Sequence, residues 1–345
     1  EIISGTLFMQ GGSINANDLT TGTPSPGNGG GLHVSQDANV TLDNVAVINN
    51  VAGREGGGLW NSADGTMTIR TGTKINGNRT TTNDEGVNDG GGGIFNNGGT
   101  LTIDGTMGTI NIINNVANDD DNGGAGGNNR ASGGGILTVG GNVTITRANI
   151  SQNEAIRAGG GIEVVDGTVT LTNITLNNND VSDLAGFGGI VEAEPGRGGG
   201  LHIGTGAAPN VTLRNSTVQG NDAEDEGGGL WNSSTGTLTV INTTVDDNTS
   251  NNDGGGIYNA GGTLIVRQSL VANNTATNDG GGIAQGALPQ GNTTVTNTTI
   301  SGNTATNGDG GGVYTDNATD DIDSGSIANN FEGDVGSGRV YIAAK

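Results

Sequence analysis

The sequence predicts an all-β chain, a single right-handed parallel β-helix of about eleven rungs of three short strands each, spanning residues 1–345. Three observations predict it. A Gly-Gly-Gly triplet followed by an aliphatic residue occurs ten times, at Leu32, Leu59, Ile94, Ile136, Ile162, Leu201, Leu230, Ile257, Ile283 and Val313. An aliphatic-x-x-Asn signature follows each triplet, from Val47–Asn50 to Ile327–Asn330, and Ile14–Asn17 adds an eleventh copy. Between the two lies a segment of alternating residues such as Thr66-Met-Thr-Ile69 or Thr168-Val-Thr-Leu171.

Each element has a physical reason. The distance from the triplet aliphatic to the Asn stays between 17 and 21 residues, so the two signatures belong to one structural unit. Period-two alternation rich in β-branched residues is a strand with one buried face. One strand is expected after the triplet, one in the alternating segment and one before the Asn. A single rung cannot bury its apolar face, but rungs stacked about 4.8 Å apart bury a continuous column of Ile, Val and Leu. Eleven rungs make a rod roughly 50 Å long. Glycine triplets suit a turn that needs positive φ or close backbone approach. A repeated Asn suits a bend where side-chain amides bond up and down the stack. No helix pattern follows the triplets and no Gly-Lys-Ser/Thr occurs, so they are not phosphate loops.

The composition agrees. Glycine makes up 70 of 345 residues and aromatics only 3%, with no collagen period. Cysteine is absent, which excludes disulfides and Cys-based metal sites. The formal net charge is −23 with no basic run, which argues against nucleic acid and anionic lipid as partners. No apolar run is long enough to span a membrane, so direct membrane insertion is not expected. The chain opens on Glu1 with no signal-like segment, and a processed or trimmed protein is expected. Both ends read as rung material, Glu1-Ile-Ile-Ser-Gly-Thr-Leu7 and Gly338-Arg-Val-Tyr-Ile-Ala343. That pattern suggests self-association, head to tail or lateral, or flanking segments of a longer precursor.

The paired signatures resemble the GGAI and FxxN repeats of chlamydial polymorphic outer-membrane proteins, and more broadly bacterial β-helix surface proteins and autotransporter passengers. Here they read Gly-Gly-Gly-Ile/Leu and Val/Ile/Leu-x-x-Asn, so neither matches to the letter. The resemblance covers nearly the whole chain. It implies an exported, extracellular or cell-surface protein with an adhesive role, working as an adhesin, surface-layer component or filament subunit.

Two sets of residues are candidates for contact. The residue after the triplet aliphatic gathers His33, Trp60, Phe95, His202, Trp231, Tyr258 and Tyr314 into one register. If the aliphatic points inward, alternation points these outward, and an exposed aromatic stripe would suit a partner surface or a glycan track. An acidic residue directly precedes several triplets, including Glu226, Asp253, Asp279 and Asp309 on consecutive rungs. Neighbouring carboxylates at that spacing repel by about 1 kcal/mol in water. A calcium ion, which takes carboxylate and carbonyl oxygens, would relieve them. Length variation is concentrated in the loop between ladder Asn and the next triplet, where the two longest hold Asp119-Asp120-Asp121 and the stretch from Val181 to Arg197.

Catalysis is the less expected reading. A polysaccharide-binding or polysaccharide-cleaving β-helix is the alternative, but Arg157, Arg197, Arg214 and Arg267 show no shared register with acids. Ice binding is a third class, suggested by outward pairs such as Thr66/Thr68, Thr100/Thr102 and Thr168/Thr170.

Overall fold

A computed structural model describes residues 1–20, 27–81, 89–118, 131–181, 196–286, 291–315, 320–323, 325–332 and 340–342. Asp119-Asp120-Asp121 and most of the stretch between Val181 and Arg197 lie outside the described residues. Among the described residues every element is a strand, and every strand pairing is parallel. The chain is a parallel β-helix, built among the described residues on three sheets of twenty, eleven and ten strands.

One turn of the solenoid shows how the sequence writes the fold. Leu230–Asn232 follows a Gly triplet, and Thr237–Ile241 is the alternating segment. Both lie in the twenty-stranded sheet, which therefore takes two strands per rung. Thr244–Asp246 belongs to the eleven-stranded sheet. Thr249–Ser250, just after the ladder Asn248, belongs to the ten-stranded sheet. That last strand is only two residues long, and a two-residue segment carries no period. The expectation of three strands per rung is corrected to four in most rungs, while in two of them Ile94–Asp104 and Ile136–Thr146 run the first two strands together and leave three.

The core is one apolar column. Leu230, Leu238, Val240 and Val245 are buried in it, along with their counterparts in neighbouring rungs. The bends are held by amides. Asn17 and the ten later signature asparagines form an unbroken ladder, each Nδ2 donating to the Oδ1 of the next at 2.7–3.0 Å. The second Nδ2 hydrogen of Asn221 donates to the carbonyl of Leu176, 3.1 Å away in the preceding rung. Leu176 is the aliphatic residue of that rung's own signature, so the spacing places an apolar side chain inward and its carbonyl under the next amide. From Asn50 to Asn330 the ladder residues are buried, so every one of these polar groups needs its partner.

Each glycine of a triplet answers a separate constraint. Gly227 has φ +69°, a conformation that side chains disfavour. A Cβ on Gly228 would lie 2.2 Å from the carbonyl oxygen of Thr249. A Cβ on Gly229 would press on the carbonyl oxygen of Gly256 at 2.6 Å and on the Asn248 amide at 3.1 Å.

Candidate functional site

The register predicted for the aromatic residues is present. His33 pairs with Trp60, Trp60 with Phe95, His202 with Trp231, and Trp231 with Tyr258 in the sheet ladder. Their rings stack. His33 lies 4.1 Å from Trp60 and His202 lies 4.3 Å from Trp231, each pair within 14° of parallel. Trp60–Phe95 and Trp231–Tyr258 follow at 6.3 Å. These side chains pack apart from the main core, in two clusters of their own.

The expected exposure is not present. Trp60, Phe95, His202, Trp231 and Tyr258 are all buried, and only His33 and Tyr314 are partly open. The stripe is corrected to a covered column. The cover comes from the turn that precedes each triplet. Glu55 accepts the Trp60 indole N–H at 2.8 Å and an Asn28 amide N–H at 2.7 Å. Glu226 accepts the Trp231 indole N–H at 3.0 Å, and Arg197 lies both 3.1 Å from Glu226 and over the Trp231 ring. Burial, followed by the charge of Glu226, pushes the Tyr258 hydroxyl well above the usual phenol range. The column therefore presents almost no aromatic surface to a partner.

Between its two aromatic runs the column turns polar. Leu137 pairs with Glu163, and Glu163 with His202. Glu163 is fully buried, with Oε2 2.6 Å from His202 Nδ1 and Oε1 3.4 Å from Arg157. Arg197 likewise meets Asp225 at 3.1 Å. Two of the four arginines that share no sequence register with acids, Arg157 and Arg197, are thus paired with acids in space. Tyr341 was missed as a position of this register. Its backbone pairs with Tyr314, but no Gly triplet precedes it to mark the register.

Three of the four acidic residues are already engaged. Glu226 serves the aromatic column. Asp253 accepts the backbone N–H of Asp279 at 2.8 Å, and Asp279 accepts that of Asp309 at 2.8 Å. Among the described residues no group of three or more His, Cys, Asp or Glu side chains gathers as metal ligands, and these four do not converge.

A second acidic register was overlooked. Glu154, Asp180 and Asp222 each directly follow a ladder Asn and stack on three consecutive rungs. Burial and the charge of Asp180 push Asp222 up to about 6, and the same two causes raise Glu154. Asp253 is also pushed up to about 6, by burial first and then by the charges of Asp279, Glu226 and Asp225.

These shifts set the sign of a pH effect. A carboxyl whose folded value exceeds its ordinary one holds its proton more tightly when folded. Its contribution to stability is full below the ordinary carboxylate range and is lost as pH rises through about 6. The melting temperature should therefore rise as pH falls from 7.5 to 5. In the double variant Asp222→Asn/Asp253→Asn that rise should shrink, as scanning calorimetry across the same pH range would show.

Residues 242–260 match the Chlamydia polymorphic membrane protein repeat. The segment holds both signatures in order, Val245-x-x-Asn248 and Gly254-Gly-Gly-Ile257. No curated protein and no solved structure matches the chain. The repeat and the parallel solenoid together fit a β-helix surface protein similar to the polymorphic membrane proteins, and the match supports a surface location in general.

Proposed function

We propose that this chain is a secreted or cell-surface structural protein, a rigid rod that works by adhesion or assembly rather than by catalysis. The observation that carries the reading is the polymorphic-membrane-protein repeat embedded in an unbroken stack of parallel rungs. With the aromatic column covered, contact falls to the loop edge and to the rung faces. Self-association has a foothold at one end. The strand Thr6–Gln10 pairs with Asn39–Asp43 on one side, and its inward-facing Leu7 and Met9 pack against the core but are only partly buried. A further rung, from a second copy or from more chain, would cover them. The test is immunogold electron microscopy of intact source cells with an antibody to the rod. Label on the outer surface is expected, and label confined to the cell interior would overturn the reading.

One observation favours a second reading. The stacked Glu154, Asp180 and Asp222 carboxyls, two of them with raised affinity for protons, supply the paired acids that polysaccharide cleavage requires. Reducing-end release from a panel of acidic and neutral polysaccharides, abolished by Asp180→Asn, would support it. No release from any of them would remove it.

A further inference from the structure

The alternating strands carry a second ladder on their outer face. Its middle column opens on Phe8 and then carries Thr on seven consecutive rungs, from Thr41 through Thr68, Thr102 and Thr170 to Thr239. Ile265 interrupts it, Thr294 resumes it, and Asp321 on the next rung closes it. The column two residues earlier holds nothing but Thr or Asn over nine rungs, from Asn39 to Asn292.

The chain supplies its own comparison. Two residues later in the same strands, equally outward, stand Asp43, Arg70, Asp104, Arg214 and Arg267. Solvent-facing β-structure here accepts charge of either sign, so general composition does not explain a two-column strip without any. In a chain of net charge −23 the strip is a neutral band.

We propose that this band is an ice-binding face. Rungs repeat every 4.7–4.9 Å or so, and alternate residues of a strand lie about 6.6 Å apart. Both intervals are close to oxygen repeats on the faces of hexagonal ice. The pairing across the band has no register slip, since the irregularities of the long strands fall before Thr100. Each threonine offers a hydroxyl to the lattice and a methyl that keeps liquid water from competing, on a side chain with a stiff χ1. Among the described residues none of the seven hydroxyls bonds to protein, and none of the seven side chains is buried. A rigid solenoid holds the array in place before binding, which removes the ordering cost that a flexible surface would meet. Charged groups would hold their own hydration shells against the crystal, and the band has none. A glycan would be better served by exposed rings, and the threonine run contains no aromatic residue.

The inference is independent of the surface reading, since a rod can be displayed whether or not it grips ice. The experiment measures thermal hysteresis, together with incorporation of fluorescently labelled protein into a growing ice hemisphere. Wild type should shape ice and enter it. Thr144→Lys/Thr170→Lys, placed at the centre of the band, should lose most of both activities while keeping its melting temperature. Thr175→Lys, on the eleven-stranded sheet, should retain them. Absence of hysteresis and of incorporation in the wild type would overturn the proposal. So would full activity in a folded Thr144→Lys/Thr170→Lys variant.

Discussion

Asn221→Ala should destabilise the protein by about 3–5 kcal/mol, far beyond an ordinary surface substitution. The Asn221 Oδ1 accepts both the backbone N–H and the Nδ2 of Asn179, each at 3.0 Å. Its own Nδ2 serves the Leu176 carbonyl and the Asn248 Oδ1. Alanine orphans two donors on Asn179 that no water can reach, because both asparagines are buried. Each orphaned group costs about 1–3 kcal/mol. Asn177→Ala is the matched control. It lies two residues from a ladder position on the outward side of a strand, and it should change stability by about 0.5 kcal/mol or less. Urea denaturation of the two variants side by side would decide the matter. Similar midpoints would mean that the ladder contributes little.

Gly228→Ala should be at least as damaging, at more than about 3 kcal/mol. The new methyl would sit 2.2 Å from the Thr249 carbonyl oxygen and 2.5 Å from that of Gly255, and both are backbone atoms. Neither can swing aside as a side chain could, so the rungs must part locally. Gly220→Ala probes the other kind of glycine. There φ is +62° and the nearest atom is a side-chain oxygen of Asn178, so the cost is mainly conformational, about 1 kcal/mol. A protease-susceptibility series should rank Gly228→Ala well above Gly220→Ala. The reverse order would place the triplet's importance in φ rather than in rung spacing.

The repeat was legible because its two signatures answer backbone constraints that recur in every rung. A glycine against a carbonyl and an amide under an amide admit few substitutes, so the pattern survives in the letters. The aromatic column was legible in register only. Whether Trp60 and Trp231 are covered depends on Glu55, Glu226 and Arg197 folding back from the turn before the triplet, and no local period records that. The strand after the ladder Asn was too short to alternate. Glu154, Asp180 and Asp222 could have been found by aligning rungs on the ladder Asn and reading one residue further. The threonine run was visible in the rungs that read Thr-x-Thr. Rungs that open on Asn39, Asn142 or Asn210 concealed its continuity until strand pairing aligned them.

The amide ladder also gives the rod a direction. Every amide-to-amide bond in it runs from a lower to a higher residue number, so the dipoles of those bonds add instead of cancelling. The outermost amides are consequently unlike. Among the described residues the ladder begins with the Asn17 amide as donor and ends with the Asn330 amide as acceptor. A rung inserted in register must keep that direction, so the stack reads differently from its two sides, like a zipper that closes only one way.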